Sequence, residues 1–288
     1  MRIVVFSFFY LVLVGIGNAQ VNKRSGKSPY VKSNDPFTKS QFYIGIRAGI
    51  GGTSVRVKES YQAIQSIQGT APFPEKNYHS FSSLGGSAGL DFTFAYLGFQ
   101  VSFQPAYRRY RYFYDYTTSW TDTSGATLTL AYDQQVRLDY LELPLFLKYE
   151  FLKNNLRPFI QAGISYGILN TATHQLTISG TDNAFGSNRD FEQLATTVGA
   201  NDLYISSYLS WGLGAGASYQ VGNVRVIADI TYRLGSHVIT NRANRFDKNP
   251  LVGSGDVSDD VLLNSLQLSV GCLFPLKYLA SKQFKAVN

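Results

Sequence analysis

The chain has 288 residues, 44% hydrophobic and 15% aromatic, and a formal charge of +7 at neutral pH. A mean hydropathy of −0.08 excludes a bundle of apolar membrane helices, and the single cysteine, Cys272, excludes an intramolecular disulfide framework. The charge does not argue for a nucleic-acid partner, because it sits in two tails: residues 20–40 carry five cations against Asp35, and residues 275–288 carry three and no acid.

In chain order, Arg2 precedes an apolar run from Ile3 to Ile16 and the small-residue stretch Gly17-Asn18-Ala19. That is the layout of a cleaved secretory signal peptide over 1–19, with cleavage before Gln20. Residues 20–40 form a polar, basic leader with Pro29 and Pro36, expected to be disordered. From Phe42 to Phe274 an apolar side chain then recurs at every second position in eight runs. Such a period of two puts one set on each face of a strand.

The first run places Phe42, Ile44, Ile46, Ala48 and Ile50 opposite Tyr43, Gly45, Arg47 and Gly49. After a long connection, the second sets Leu84, Ala88, Leu90 and Phe92 against Gly85, Ser87, Gly89 and Asp91. A short turn near Ala95-Tyr96 leads to the third, Leu97 to Arg108, in which Pro105 requires a bulge or a break in pairing. The segment with Tyr110, Tyr112, Tyr114 and Tyr116 reads as a connection, and its tyrosines as loop-contact candidates.

The fourth run sets Leu141, Leu143, Leu145, Leu147 and Tyr149 against Glu142, Lys148 and Glu150. Val136, Leu138 and Tyr140 share the parity of Glu142, so a bulge near Tyr140 is expected to flip the faces. Strand five is Ile160 to Ile168, and a connection over 171–203 is expected to hold a short helix at Phe191–Val198. Strands six (Leu209 to Gln220), seven (Val224 to Leu234) and eight (Leu266 to Phe274) complete the set.

Connections alternate between long and short, as in an outer-membrane barrel with extracellular loops and periplasmic turns. The fold class is therefore an all-β, eight-stranded antiparallel up-and-down transmembrane β-barrel over 41–274, with a basic tail over 275–288. Both termini are expected in the periplasm of a bacterial outer membrane, with membrane lipid as the surrounding partner. A soluble lipocalin-like barrel is the alternative. Against it, the non-apolar face is built of Gly, Ser and Gln, a poor surface for water but a good lining for a narrow lumen. The charges in the lumen phase then read as structural ion-pair partners: Arg47, Arg108, Lys148, Arg225 and Arg233 with Asp91, Glu142, Glu150 and Asp229. Cys272 reads as a small wall-facing hydrophobe.

The segment Tyr140-Leu-Glu-Leu-Pro-Leu-Phe-Leu-Lys-Tyr149, followed by Arg157-Pro-Phe-Ile-Gln-Ala-Gly-Ile-Ser-Tyr166, resembles the PorT-like outer-membrane β-barrel family. The resemblance implies this barrel type and, through the family's name-giving member, an accessory role in type IX protein secretion.

Chemistry-bearing patterns are sparse. His79, His174 and His237 fall at the loop end, where Asp182, Asp190, Asp247 or Asp256 would have to meet one of them for acid–base catalysis. No close-spaced metal ligands or phosphate loop occur, and no cofactor is expected. The favoured expectation is a non-enzymatic structural or interaction platform, with loops or basic tails meeting a protein partner. A loop-end ligand- or surface-binding barrel and an outer-membrane enzyme are the alternatives.

Overall fold

The computed structural model describes residues 40–62, 75–152, 154–183, 187–191 and 193–276. The expected signal peptide, all but the last residue of the leader and the tail from 277 lie outside them. The strands are β1 (Gln41–Glu59), β2 (Asn77–His79), β3 (Leu84–Tyr96), β4 (Phe99–Phe103), β5 (Ala106–Thr121), β6 (Thr127–Glu150), β7 (Leu156–Asp182), β8 (Arg189–Asp190), β9 (Leu194–Gly199), β10 (Ser207–Val221), β11 (Val224–Gly235) and β12 (Asp260–Pro275). Pairing runs β1-β3-(β4, β5)-β6-β7-β10-β11-β12, all antiparallel, and β12 returns to β1. Eight staves therefore close a ring, and closure removes the free edges of the sheet.

The stave made of β4 and β5 is interrupted only at Gln104 and Pro105, and pairing with β3 and β6 resumes in the same register. Proline lacks the N–H that the ladder needs, so it breaks the ladder locally without adding a residue. The turn expected at Ala95-Tyr96 lies two residues later, at Leu97-Gly98, because Tyr96 pairs Phe99. Both turn residues have positive φ, 50° and 86°, the geometry of a two-residue hairpin that matches the twist of its strands.

Two further expectations are corrected. Tyr110, Tyr112, Tyr114 and Tyr116 are not in a loop. They lie on β5, which pairs with β6 up to Thr121–Thr127, and all four rings are buried inside the barrel. The segment expected to be helical at 191–198 overlaps β9, which pairs back onto β7 from Thr173 to Ile178.

The face flip near Tyr140 is also relocated. The β6–β7 register shifts between Asp139 and Tyr140, but the unpaired residue is Asn170 on β7. Alternation in β6 runs through unbroken, with Gln134, Val136, Leu138, Tyr140, Glu142, Phe146 and Lys148 all buried. In β7 the buried set switches from Arg157, Phe159, Gln161 and Ser165 to Ala172, His174 and Leu176. One extra residue does that in a structure of period two.

These long strands give the barrel two storeys of opposite polarity. In the lower one, at the turn end, the outer surface is an exposed girdle that includes Phe42, Ile46, Leu90, Leu145, Ile164, Trp211, Ile230 and Val270. The inside is polar and charged. Above Tyr107, Leu141 and Ile168 the outer face becomes Arg109, Asp139, Arg137, Gln135, Thr173 and Gln175, while the inside becomes a tyrosine-rich apolar core. A hydrocarbon environment accounts for the first arrangement, since a Lys or Arg on that face would cost about 2–4 kcal/mol at mid-bilayer. Water outside and close packing inside account for the second.

Candidate functional site

The lower interior is a stack of ion pairs set by strand parity. Nearest the turns, Glu150 meets Arg225 at 3.1 Å and Arg157 at 3.5 Å and accepts a hydrogen bond from Ser218 at 2.8 Å, while Arg225 lies over the Tyr43 ring. One layer higher, Arg47 bridges Asp91 at 3.4 Å and Asp229 at 2.5 Å. Asp91 also accepts from Thr93 and Ser102, and Asp229 accepts from Gln161. Lys148 lies 3.9 Å from Asp91 and against the Phe159 ring.

Phe146 then crosses the lumen. Its ring takes the space above Gly163 and Gly212, where an added Cβ would come within 2.8 and 2.7 Å of ring carbons. Arg233 stacks near this ring and donates to Gln267 at 2.6 Å. The uppermost charged layer has Glu142 at 3.1 Å from Arg108, with Tyr110 and Tyr208 donating to the same carboxylate. All nine charges nominated from the sequence thus point inward. Arg157 was missed, although it shares the parity of Gln161 on the same strand.

Above Glu142, Tyr140, Leu138 and Val136 of β6 pack with Leu176, Leu203, Ile239 and Leu263. Tyr112 bonds Tyr204, whose hydroxyl lies 2.7 Å from His174 Nε2, and Tyr116 stacks on Tyr132 with centroids 4.5 Å apart. The connection from β11 to β12 closes the top. Its Asp256 accepts from Tyr114 at 2.9 Å and from Tyr116, and Asp259 meets Lys76 at 3.1 Å and Tyr78 at 2.8 Å. Burial pushes the Asp256 carboxyl above the usual carboxylate range, opposed by the nearby Lys76 and by hydrogen bonds from Tyr114 and Tyr116. Sequence reasoning missed Lys76 and Asp259, because loop residues carry no periodicity that says which way they face.

The catalytic constellation sought at the loop end does not form around the described histidines in the way expected. His174 is buried and bonded to Tyr204, and His79 meets Asp115, an acid outside the nominated set. Asp256 is taken up by tyrosines. His237 and Asp247 are exposed in the β11–β12 connection. Cys272 lies on the outward phase of β12, opposite Ile46 and Val226. Among the described residues no group of three or more His, Cys, Asp or Glu side chains is arranged to hold a metal ion.

Among solved structures, Neisserial surface protein A is 14% identical, with 81% of this chain and 97% of that one covered at a TM-score of 0.34. Ail, the attachment invasion locus protein of Yersinia pestis, solved in complex with the heparin analogue sucrose octasulfate, is 10% identical, with 81% and 99% covered at 0.27. The N-terminal β-barrel domain of Pseudomonas aeruginosa OprF is 13% identical, with 81% and 99% covered at 0.26. At such scores they bear on none of the residues described above. No curated protein sequence matches the chain. A family model does, over residues 18–237, and it spans most of the wall just described. The chain belongs to the outer membrane protein beta-barrel domain family.

Proposed function

We propose that the protein is a closed, non-enzymatic outer-membrane anchor whose upper storey projects from the cell as an interaction platform. The observation that carries this reading is that the interior is filled through both storeys. Lys148, Phe146, Tyr140, Leu138 and Tyr114 are all fully buried. An eight-stranded barrel leaves room for little more than its own side chains. What remains accessible is the outside of the upper storey, where β6 and β7 present Gln135, Thr173, Gln175 and Thr177. In this orientation the hairpin tip at 122–126 lies outside the cell, and the basic leader and tail lie in the periplasm, where they suit a protein partner.

An accessory role in type IX secretion is the narrower form of this reading. It rests on the Tyr140–Tyr149 resemblance, whose side chains serve the wall itself: Glu142 and Lys148 in the lumen, Leu141, Leu145 and Leu147 outside. Two measurements test the proposal together. In planar bilayers the purified protein should give no steady conductance. In intact cells, a cysteine placed at Ser124 should react with a membrane-impermeant maleimide, and a cross-linker at that position should recover a partner. A stable ohmic channel, or labelling only after the cells are broken, overturns it; recovery of secretion components would select the narrower form.

A further inference from the structure

The outer faces of β5 and β6 carry an unusual juxtaposition just above the apolar girdle. The last girdle row, Tyr107 and Leu141, is followed by Arg109 opposite Asp139 and then by Arg111 directly opposite Arg137. Like charges facing each other across an antiparallel pair destabilise it. Asp139 does not resolve the conflict. Its carboxylate is shared by Arg109, at 2.8 Å through Nε, and Arg137, at 2.6 Å through a terminal nitrogen. Three cations against one anion leave a surplus of two positive charges, and Arg111 has no ion-pair partner among the described residues.

Height decides what would supply the missing anion. A two-residue step along a strand is roughly 7 Å. Strand tilt shortens its rise, so the arginine rows stand about 5 and 10 Å above the last girdle row. The headgroup layer occupies that zone on each side of the hydrocarbon core. Thr173 of β7 pairs alongside Arg137 and adds a hydroxyl to the same face. Guanidinium forks are the side chains best matched to a phosphate's oxygens.

We propose that Arg109, Arg111 and Arg137 form a binding site for the phosphate headgroup of a membrane lipid in the leaflet at the long-strand end. The site fixes the height of the barrel in the bilayer and screens the opposed arginines. It rests on the two-storey reading of the wall and not on the absence of a channel, so a conducting barrel leaves it standing.

The test uses the full-length protein folded in a zwitterionic detergent, with native mass spectrometry of bound lipid. Short-chain phosphatidic acid is the probe, phosphatidylcholine of the same chain length the control, and inorganic phosphate the competitor. The wild type should retain phosphatidic acid over phosphatidylcholine. The Arg111→Gln/Arg137→Gln variant should bind it roughly tenfold more weakly, as expected for loss of one charge-assisted hydrogen bond or more. An Arg56→Gln/Lys58→Gln variant, altered on the upper end of β1, should bind like the wild type. Mobility on an unheated detergent gel establishes that each variant is folded. Equal retention of the two lipids, equal loss in both double variants, or displacement by millimolar inorganic phosphate overturns the proposal; the last outcome would make it a site for free anions.

Discussion

Replacing Glu142 by Gln keeps the side chain's shape and removes its charge from the top of the lumen stack. Glu142 is fully buried and lies 3.1 Å from Arg108, with Tyr110 and Tyr208 donating to it and Arg233 among the cations that act on it. Neutralisation leaves Arg108 buried with no carboxylate in its layer. Breaking one side of a buried ion pair costs about 3–5 kcal/mol. Both tyrosines donate to Oε1, and the amide oxygen of Gln can still accept from them, so the lower end, about 3 kcal/mol, is expected. Arg108→Met should cost a similar amount, because Glu142 is then left with only the more distant Arg233. The double variant should be more stable than the sum of the two losses, with a coupling of about 2 kcal/mol. Urea unfolding of the protein in lipid vesicles measures this, with emission from the outward-facing Trp211 as the probe. A loss below about 1 kcal/mol for Glu142→Gln, or additivity within about 0.5 kcal/mol, would refute the idea that the charged layer holds the lumen together.

Deleting Asn170 removes the bulge, so the upper part of β7 should lose its register with β6 or turn its buried face outward. Cysteines at Leu176 and Thr173 report this: in the parent only the second reacts with a polar maleimide, and after the deletion the preference should vanish or reverse. The cap should also respond to pH through Asp256. Its carboxyl titrates above the ordinary range, chiefly because of burial, so the folded cap favours the protonated form. That contribution is fully present below the unfolded carboxylate pKa and is lost as pH rises through the raised value. Amide protection over 236–259, corrected for intrinsic exchange, should therefore fall across that rise, and Asp256→Asn should abolish the fall. A pH-independent protection factor in the parent would contradict it.

The lower storey was legible in the sequence because lipid imposes a single rule there. Every second side chain from Phe42 to Ile50 or from Leu266 to Phe274 must be apolar, and the opposite phase inherits the lumen and its charges. Above the girdle the rule inverts, so the same alternation no longer marks a lipid-facing wall. Tyr110 to Tyr116 kept a period of two, but tyrosine suits a loop surface as well as a packed interior, and it is the amphipathic residue that hides the difference. The relocated bulge has the same origin. In β6 the inward face changes from Glu142 to Tyr140 and Leu138 without any change of parity, because the interior itself changes character. The parity change belongs to β7, where Ile168 faces out and Ala172 faces in. Lys76 and Asp259 lay beyond reach for a simpler reason: their place is set by tertiary packing of loops.

Depth-resolved spin labelling on the outer face tests the two-storey polarity of the wall. Nitroxides at Leu145, Thr173 and Gln175 in lipid vesicles would be compared for relaxation by oxygen and by a water-soluble nickel complex. A lipid-facing lower storey and a water-facing upper one make the label at 145 oxygen-accessible and shielded from nickel, and the labels at 173 and 175 nickel-accessible. Labels at 173 and 175 that behave like the one at 145 would place the upper storey in the bilayer and contradict it.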